Sequence, residues 1–190
     1  MIDVRRDPRS TALLGLYLGY RDAGTETWLE TRGTSMRPLV GPGSRMLVAF
    51  GARPARVGEV IVFERYDGIV AHRLVGLRRR DGAEQLIVKG DNEAYFDPPI
   101  GQDDVLGVVR GVRLAETGPV LRRGLDGRTG RVIAGVSRSS GRGARLARRV
   151  VEHTPDPIRR TALRAIPTLA RVPTRLMLAP ITQESGAGGR

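Results

Sequence analysis

Short apolar runs separated by turn residues fill the chain between residues 25 and 114. Runs of this length, rich in Val, Ile, Leu and Phe and bounded by Gly, Pro and Asp, indicate β-strands. The predicted strands are Thr25–Thr31, Arg45–Phe50, Glu59–Arg65, Ile69–Leu77, Glu84–Lys89 and Val105–Leu114. Asp-Gly pairs at 67–68 and 81–82 favour tight turns with positive φ, so the strands around them are expected to be antiparallel. The pattern predicts a mainly β domain.

Helices are predicted on both sides of this domain. Residues 9–21 place Leu13, Leu14, Tyr17 and Leu18 near one helical face. Gly118–Gly143 is rich in Gly, Arg and Ser, which indicates a flexible linker. Short basic amphipathic helices, interrupted by the prolines at 155, 157, 167 and 173, are expected over Ala144–Val151, Ile158–Ile166 and Leu169–Leu178. The chain thus divides into an N-terminal helix (1–25), a β domain (26–114) and a basic tail (115–190).

The composition excludes several kinds of functional site. The chain has no cysteine, which excludes disulfides, thiolate nucleophiles and cysteine-ligated zinc. Its two histidines, His72 and His153, make a multi-histidine metal site improbable. We expect a site that uses no metal or organic cofactor.

The positive charge is concentrated in the tail. Residues 1–114 hold 17 basic and 15 acidic side chains, whereas residues 115–190 hold 15 and 5, of a total net charge of +12. A tail of net charge +10 favours an anionic partner, and peripheral binding to an anionic membrane is one prediction. A solvated basic surface without a partner is the alternative. Specific nucleic-acid binding is not expected, because aromatic residues make up only 4% of the chain and no helix-turn-helix pattern occurs in the β domain.

No segment has the length and apolarity of a transmembrane helix. The most apolar N-terminal stretch, 13–19, is far shorter than the roughly 20 residues that a span requires. Asp3 and Asp7 precede it, which is not typical of a cleaved secretory signal. The expected location is cytoplasmic or peripheral at the cytoplasmic membrane.

Ser35 and His72 are the candidate catalytic residues. Gly33 and Pro38 place Ser35 on a constrained turn between two strands, where backbone N–H groups could stabilise an oxyanion. His72 lies in an otherwise apolar strand, and a neutral imidazole accepts a hydroxyl proton near pH 7. Taken singly, each residue is better explained as structural. The pair is more informative, because a serine nucleophile needs a base and the β domain contains one histidine.

Asp91 and Asp97 are the candidate partners of the histidine. They lie six residues apart in the segment Lys89–Pro98, which is bounded by Gly and Pro. An aspartate there could orient an imidazole, or it could anchor the loop through side-chain-to-backbone hydrogen bonds.

In this order, these segments resemble the signal-peptidase superfamily of serine peptidases. Gly33–Pro38 is similar to the Ser-Met-x-Pro nucleophile box, Arg56–Phe63 to the strand that follows it, Ile69–Val75 to the strand of the base, and Lys89–Asp97 to the Gly-Asp-Asn box. The similarity covers roughly residues 26–114. It implies an antiparallel β domain of the signal-peptidase and LexA type.

The resemblance also implies the roles of the site residues. Most bacterial signal peptidases and the LexA-type repressors use a Ser-Lys dyad, whereas the archaeal and endoplasmic-reticulum type has histidine where this chain has His72. The implied activity is endopeptidase hydrolysis of a protein or peptide precursor, of the signal- or leader-peptide kind, through a Ser35 acyl-enzyme. Asp97 is the favoured third member of the triad over Asp91, and the oxyanion loop contains Thr34, Met36 and Pro38.

Three departures from the family pattern affect this expectation. Ser44 replaces the carboxylate of the Pro-Gly-Asp turn, Gly33 replaces a serine that assists the oxyanion in some relatives, and the N-terminal membrane anchor of true signal peptidases is not seen. A soluble or membrane-surface processing peptidase is therefore expected. The alternatives are a catalytically inactive peptide-binding module of the same fold and, less favoured, a nucleic-acid-binding protein acting through the tail.

Overall fold

The computed structural model describes residues 8–51, 54–65, 68–114, 118–122, 125, 127–152 and 163–173. Helix α1 (Pro8–Asp22) precedes the strands. They are β1 (Glu26–Glu30), β2 (Arg45–Phe50), β3 (Val60–Arg65), β4 (Gly68–Arg80), β5 (Ala83–Lys89), β6 (Val105–Arg113) and β7 (Val120–Leu121). Helix α2 (Gly127–Glu152) and helix α3 (163–173) follow.

The strands form one antiparallel sheet in the order β1-β2-β6-β3-β4-β5, with β7 paired to β6. Side chains alternate between its two faces, and both faces are covered. Val60 and Val62 of β3 pack into one apolar cluster, and Ile61 and Phe63 pack into the other. Burial on both faces explains why β3 is apolar over four consecutive positions. The prediction of a mainly β protein is confirmed.

The six predicted strands match β1 to β6 closely. The prediction for β2 is identical to the observed strand, whereas β4 runs to Arg80, three residues beyond the predicted end. Asp81 and Gly82 have φ values of 53° and 81°, as the predicted tight turn requires. The other predicted turn includes residue 67, which lies outside the described residues.

The predicted linker over Gly118–Gly143 is wrong for most of its length, because α2 begins at Gly127 and continues for 26 residues. The buried positions of α2 recur every three or four residues and turn one face to the β domain: Gly130, Ile133, Ala134, Ser137, Gly141 and Ala144. A Cβ added at Gly130 would lie 2.6 Å from the carbonyl oxygen of Gly58, and one at Gly141 would lie 2.8 Å from the Phe96 ring. These glycines permit close packing of the helix.

The remaining predictions for the tail are only partly covered by the described residues. The helix expected over Ala144–Val151 forms the last part of α2. The two further helices were predicted across segments that include undescribed residues, and α3 lies where they meet. Pro167 does not interrupt α3; it removes one N–H donor near the start of the helix, which continues to residue 173. In the described part of the chain, no helix combines the length and apolarity needed to cross a membrane.

Candidate active site

Ser35 lies on the loop that connects β1 and β2, and the loop is fixed at both ends. At its base, the Thr31 N–H donates to the Ser44 carbonyl (2.9 Å), and the Gly43 N–H donates to the Thr31 carbonyl (2.9 Å). Beside the serine, Met36 and Leu39 are buried in the main apolar cluster. The apolar side chains after Ser35 therefore anchor the turn and leave the half-buried serine at its surface.

His72 is positioned by the central part of β4, where its backbone pairs with Ile61 of β3. The imidazole is only 4% exposed and lies edge-on to the Phe63 ring, at 6.2 Å between ring centroids. Its Nε2 lies 2.8 Å from the Ser35 Oγ, which is hydrogen-bond distance. The structure thus brings together two residues that are 37 positions apart in the sequence.

Asp97 completes a chain of three side chains. Its Oδ2 lies 2.6 Å from Nδ1 of His72, and its Oδ1 accepts a hydrogen bond from Arg65 at 2.9 Å. Its backbone N–H donates to the Val88 carbonyl (3.0 Å), which holds the loop against β5. When the carboxylate accepts the Nδ1 proton, Nε2 is left free to accept the proton of the Ser35 hydroxyl.

The segment 90–97 also contacts the nucleophile loop directly. The Asn92 N–H donates to the Ser35 carbonyl (2.7 Å), and the Asn92 side-chain amide donates to the Thr34 carbonyl (3.0 Å). A Cβ added at Gly90 would lie 2.8 Å from the Ser35 carbonyl oxygen and 3.0 Å from His72 Nε2. Gly90 therefore permits the close approach of the two loops at the serine-histidine contact.

Asp91, the second candidate aspartate, is placed elsewhere. Its two carboxylate oxygens accept hydrogen bonds from Arg73 Nε (2.9 Å) and from a terminal nitrogen of the same guanidinium (2.7 Å). The other terminal nitrogen donates to the Gly58 carbonyl (2.7 Å), and both side chains are fully buried. This bidentate pair joins β4 to the loop after β5, so the structure gives Asp91 a structural position behind the triad.

Lys89, the only lysine of the chain, is fully buried. Its ammonium donates to Ser137 Oγ on α2 (3.1 Å) and to the Gly90 carbonyl (3.3 Å). Burial lowers the pKa of Lys89 to about 8, an effect that the nearby Asp91 and Glu93 carboxylates partly oppose. The residue links the β domain to α2.

The backbone of the nucleophile loop offers a donor for an oxyanion. Among the described residues, the Ser35 N–H has no hydrogen-bond acceptor, whereas the Arg37 N–H donates to the Thr34 carbonyl (3.2 Å). Thr34 is exposed beside the serine, Met36 is buried beneath it, and Pro38 follows a cis peptide bond. The free Ser35 N–H points to an oxyanion site on this loop.

The three residues open onto a cleft of about 940 Å³. Apolar side chains from five elements, α1 and β1 to β4, form part of its lining: Leu13, Tyr17, Leu29, Met46, Val62, Ile69, Val70 and Ala71. Polar groups cluster where Ser35, His72 and Asp97 meet its wall, with Glu93 and Arg65 beside them. A cleft that combines apolar surface with convergent polar groups is typical of a binding site.

Sequence reasoning did not identify Arg65, Arg73 or Gly90 as parts of this arrangement. Arg65 ends a strand, where an arginine usually faces solvent. The sequence did contain a signal for a buried ion pair at Arg73, because a charged residue within an apolar strand must be paired when it is buried. Gly90 carried only the weak signal of a glycine in a loop.

Comparison with known proteins assigns no family: no family model matches the chain, and no curated protein is significantly similar to it. The chemistry of the site is therefore inferred from its residues and their geometry.

Proposed function

We propose that this protein is a serine endopeptidase with Ser35 as nucleophile, His72 as general base and Asp97 as the partner of the imidazole. The observation that carries the proposal is the continuous contact Ser35 Oγ–His72 Nε2–His72 Nδ1–Asp97 Oδ2, at 2.8 and 2.6 Å across its two hydrogen bonds. A serine activated by a histidine that a carboxylate orients is the arrangement of nucleophilic acyl transfer.

The reaction proceeds in two halves. Ser35 Oγ attacks the scissile carbonyl carbon while its proton moves to His72 Nε2, and the Ser35 N–H donates to the developing oxyanion. The C–N bond then breaks, His72 gives the proton to the leaving amine, and the acyl group remains as an ester on Ser35. A water molecule that loses its proton to His72 hydrolyses the ester, and the returning proton regenerates the serine hydroxyl.

The substrate class that we propose is a protein or peptide precursor. The cleft beside Ser35 has the volume to hold an extended segment of chain. The mainly antiparallel β architecture agrees with the signal-peptidase and LexA type of fold that the sequence motifs imply, and we propose that fold for residues 26–114. Signal- or leader-peptide processing is the corresponding reaction. Peripheral membrane binding by the basic tail stays a prediction.

Replacement of the nucleophile tests this function. We expect Ser35→Ala to abolish hydrolysis and covalent labelling by a fluorophosphonate, and to shift the unfolding midpoint little, because a half-buried hydroxyl contributes little to stability. Ser139→Ala, which removes an exposed hydroxyl of α2, is the matched control and should label as the wild type does. The measurements are peptide cleavage, intact-mass analysis of the labelled protein and thermal unfolding.

Two results would contradict the proposal. Cleavage by Ser35→Ala at more than a few per cent of the wild-type rate would show that another group attacks the peptide. A wild-type protein that binds peptides yet neither cleaves them nor labels at Ser35 would instead support the inactive binding module.

A further inference from the structure

A second groove lies beside the catalytic cleft, between α2 and the sheet. It has a volume of about 560 Å³ and contains five arginines, Arg78 on β4 and Arg138, Arg142, Arg145 and Arg149 on α2. The apolar part of its lining consists of Leu77, Ile87, Phe96, Pro99 and Leu146. We call this the arginine groove.

The four arginines of α2 form a stripe along one side of the helix. They are separated by four, three and four residues, a spacing that places side chains on the same helical face. Arg145 lies over the Phe96 ring, 5.0 Å from its centroid, and Arg78 donates to the side chain of Gln85 on β5. Arg145 is therefore held against the wall of the groove, and Arg78 is held on the neighbouring strand.

At three of the five arginines, no carboxylate of the described residues neutralises the charge of the groove. Asp97 is the only carboxylate among the described residues that line it, and that side chain is bound to His72 and Arg65. Arg138, Arg142 and Arg145 form no ion pair with any residue in the described ranges. Cations gathered in a recess repel one another and create a local positive potential, which a bound anion relieves.

The arginine groove adjoins the catalytic cleft. Phe96 and Asp97 line both, so a chain that leaves the serine-histidine pair along this wall passes directly into the groove. Four of the five arginines are exposed along the groove, so a ligand in solution can reach them: Arg78, Arg142, Arg145 and Arg149. The position next to Ser35 therefore favours a ligand that is continuous with the substrate.

We propose that the arginine groove binds an acidic segment of the peptide substrate, on one side of the bond that is cut. This inference rests on the proposed peptidase function and names a specificity determinant for it. Guanidinium groups bind carboxylates through paired hydrogen bonds, and Leu77 and Phe96 offer apolar surface to the side-chain stems of glutamates. The expected substrate is thus a precursor with several Asp or Glu residues close to the cleavage site.

Paired peptides and a charge-matched pair of variants test the proposal. A sequence that the wild type cleaves, selected from a digest of a peptide library, is synthesised with four glutamates or four glutamines on the N-terminal flank, and again on the C-terminal flank. The groove variant is Arg142→Gln with Arg145→Gln. The control is Arg128→Gln with Arg131→Gln, which removes the same charge from exposed positions of the same helix outside the groove.

We expect the wild type to prefer the glutamate peptide of one flank by about tenfold in kcat/KM, the size that a few partly exposed ion pairs supply. The preference should fall as salt is raised from 50 to 500 mM, should be lost in the groove variant and should persist in the control variant. Arg142→Lys with Arg145→Lys should retain part of it, because the charge is kept and the paired hydrogen bonds are lost. Equal kcat/KM for the glutamate and glutamine peptides would overturn the inference and leave the peptidase standing.

A binding measurement separates this inference from the proposed function. Fluorescence anisotropy with labelled glutamate and glutamine peptides is measured on Ser35→Ala, so it does not depend on cleavage. Tighter binding of the glutamate peptide that requires Arg142 and Arg145 supports the groove even if hydrolysis is never detected. If the groove variant lost binding of both peptides equally, the arginines would have a structural role, and the inference would be overturned. Binding through these arginines to vesicles of phosphatidylserine or to a DNA oligonucleotide, without a preference for the glutamate peptide, would also overturn it.

Discussion

At the scale of single residues, the two aspartates of the segment 90–97 have separate positions. Asp97 contacts His72, whereas both oxygens of Asp91 bind Arg73. Arg65 donates to the Asp97 oxygen that His72 does not use, so it limits rotation of the carboxylate. One acidic residue therefore orients the His72 imidazole, and the other joins the loop to the sheet.

These positions predict different losses on mutation. Asp97→Asn should lower kcat by about a thousandfold or more while the fold is retained, because an amide can favour the wrong histidine tautomer. Asp91→Ala should cost about 3–5 kcal/mol of unfolding free energy, because it leaves the Arg73 guanidinium buried without its partner. Steady-state kinetics and urea unfolding of both variants give the comparison. The assignment would be reversed if Asp91→Ala were stable but inactive and Asp97→Asn fully active.

The sequence could predict the serine and the histidine, whereas the local pattern could not choose between the aspartates and only the family resemblance favoured Asp97. Ser35 and His72 each stand in a distinctive local setting, a Gly/Pro-bounded turn and an apolar strand. Asp91 and Asp97 share one turn, and their roles depend on which cation lies near each of them in space. Arg73 and Arg65 belong to other strands, 18 and 32 residues away, so only the folded chain brings them to the two carboxylates.

At the scale of elements, the strands were predictable and the long helix was not. The apolar runs that form β2 and β3 are recognisable locally, because a strand buried on both faces must be apolar throughout. In α2 the glycines that suggested a linker fit against parts of the chain that are distant in sequence. Gly130 packs on Gly58 and Gly141 packs on Phe96, and the local sequence does not predict either contact.

Two glycines of α2 provide a matched test of this packing. Gly130→Ala should destabilise the protein by about 1–3 kcal/mol, because the new methyl group would meet the Gly58 backbone. Gly135→Ala, at an exposed position with no atom within 4 Å of the added Cβ, should stabilise it by about 0.5–1 kcal/mol through helix propensity. Chemical unfolding followed by circular dichroism measures both. If the two substitutions stabilise the protein equally, α2 does not pack on the Gly58 loop.

At the scale of the whole molecule, the basic tail is partly built into the fold. Ile133 of α2 joins the main apolar cluster. Ala144 of α2 and Ala170 of α3 pack with Ala94 of the segment 90–97. Ser137 of α2 accepts the hydrogen bond of Lys89 from β5. The face of α2 that packs on the β domain is thus covered. The positive charge on the exposed side of the helix is carried largely by arginines such as those of the arginine groove.

Lys89 makes the packing of α2 on the β domain sensitive to pH. The folded protein releases the Lys89 proton at a pKa of about 8, whereas the unfolded chain holds it to the ordinary value of 10.5. Between these values the unfolded state binds more protons, so the stability contributed by Lys89 rises with pH across this window. Below pH 8 the buried ammonium lowers the free energy of unfolding by about 3 kcal/mol, and this penalty does not change with pH. We therefore expect the stability advantage of Lys89→Met over the wild type to shrink by about 3 kcal/mol between pH 8 and pH 10.5.

The single lysine allows a direct measurement of this effect. In protein labelled with ¹³C-lysine, the side-chain resonance of Lys89 needs no assignment, because the chain contains no other lysine. Its titration midpoint should lie near pH 8, and it should move toward 10.5 in a variant whose α2 is displaced, such as one with a bulky Gly130→Val substitution against Gly58. Gly135→Val, at the exposed position, is the control that should leave the midpoint unchanged. A wild-type midpoint near 10.5 would mean that solvent reaches the ammonium, and the tail would then not cover the β domain as the Lys89–Ser137 contact requires.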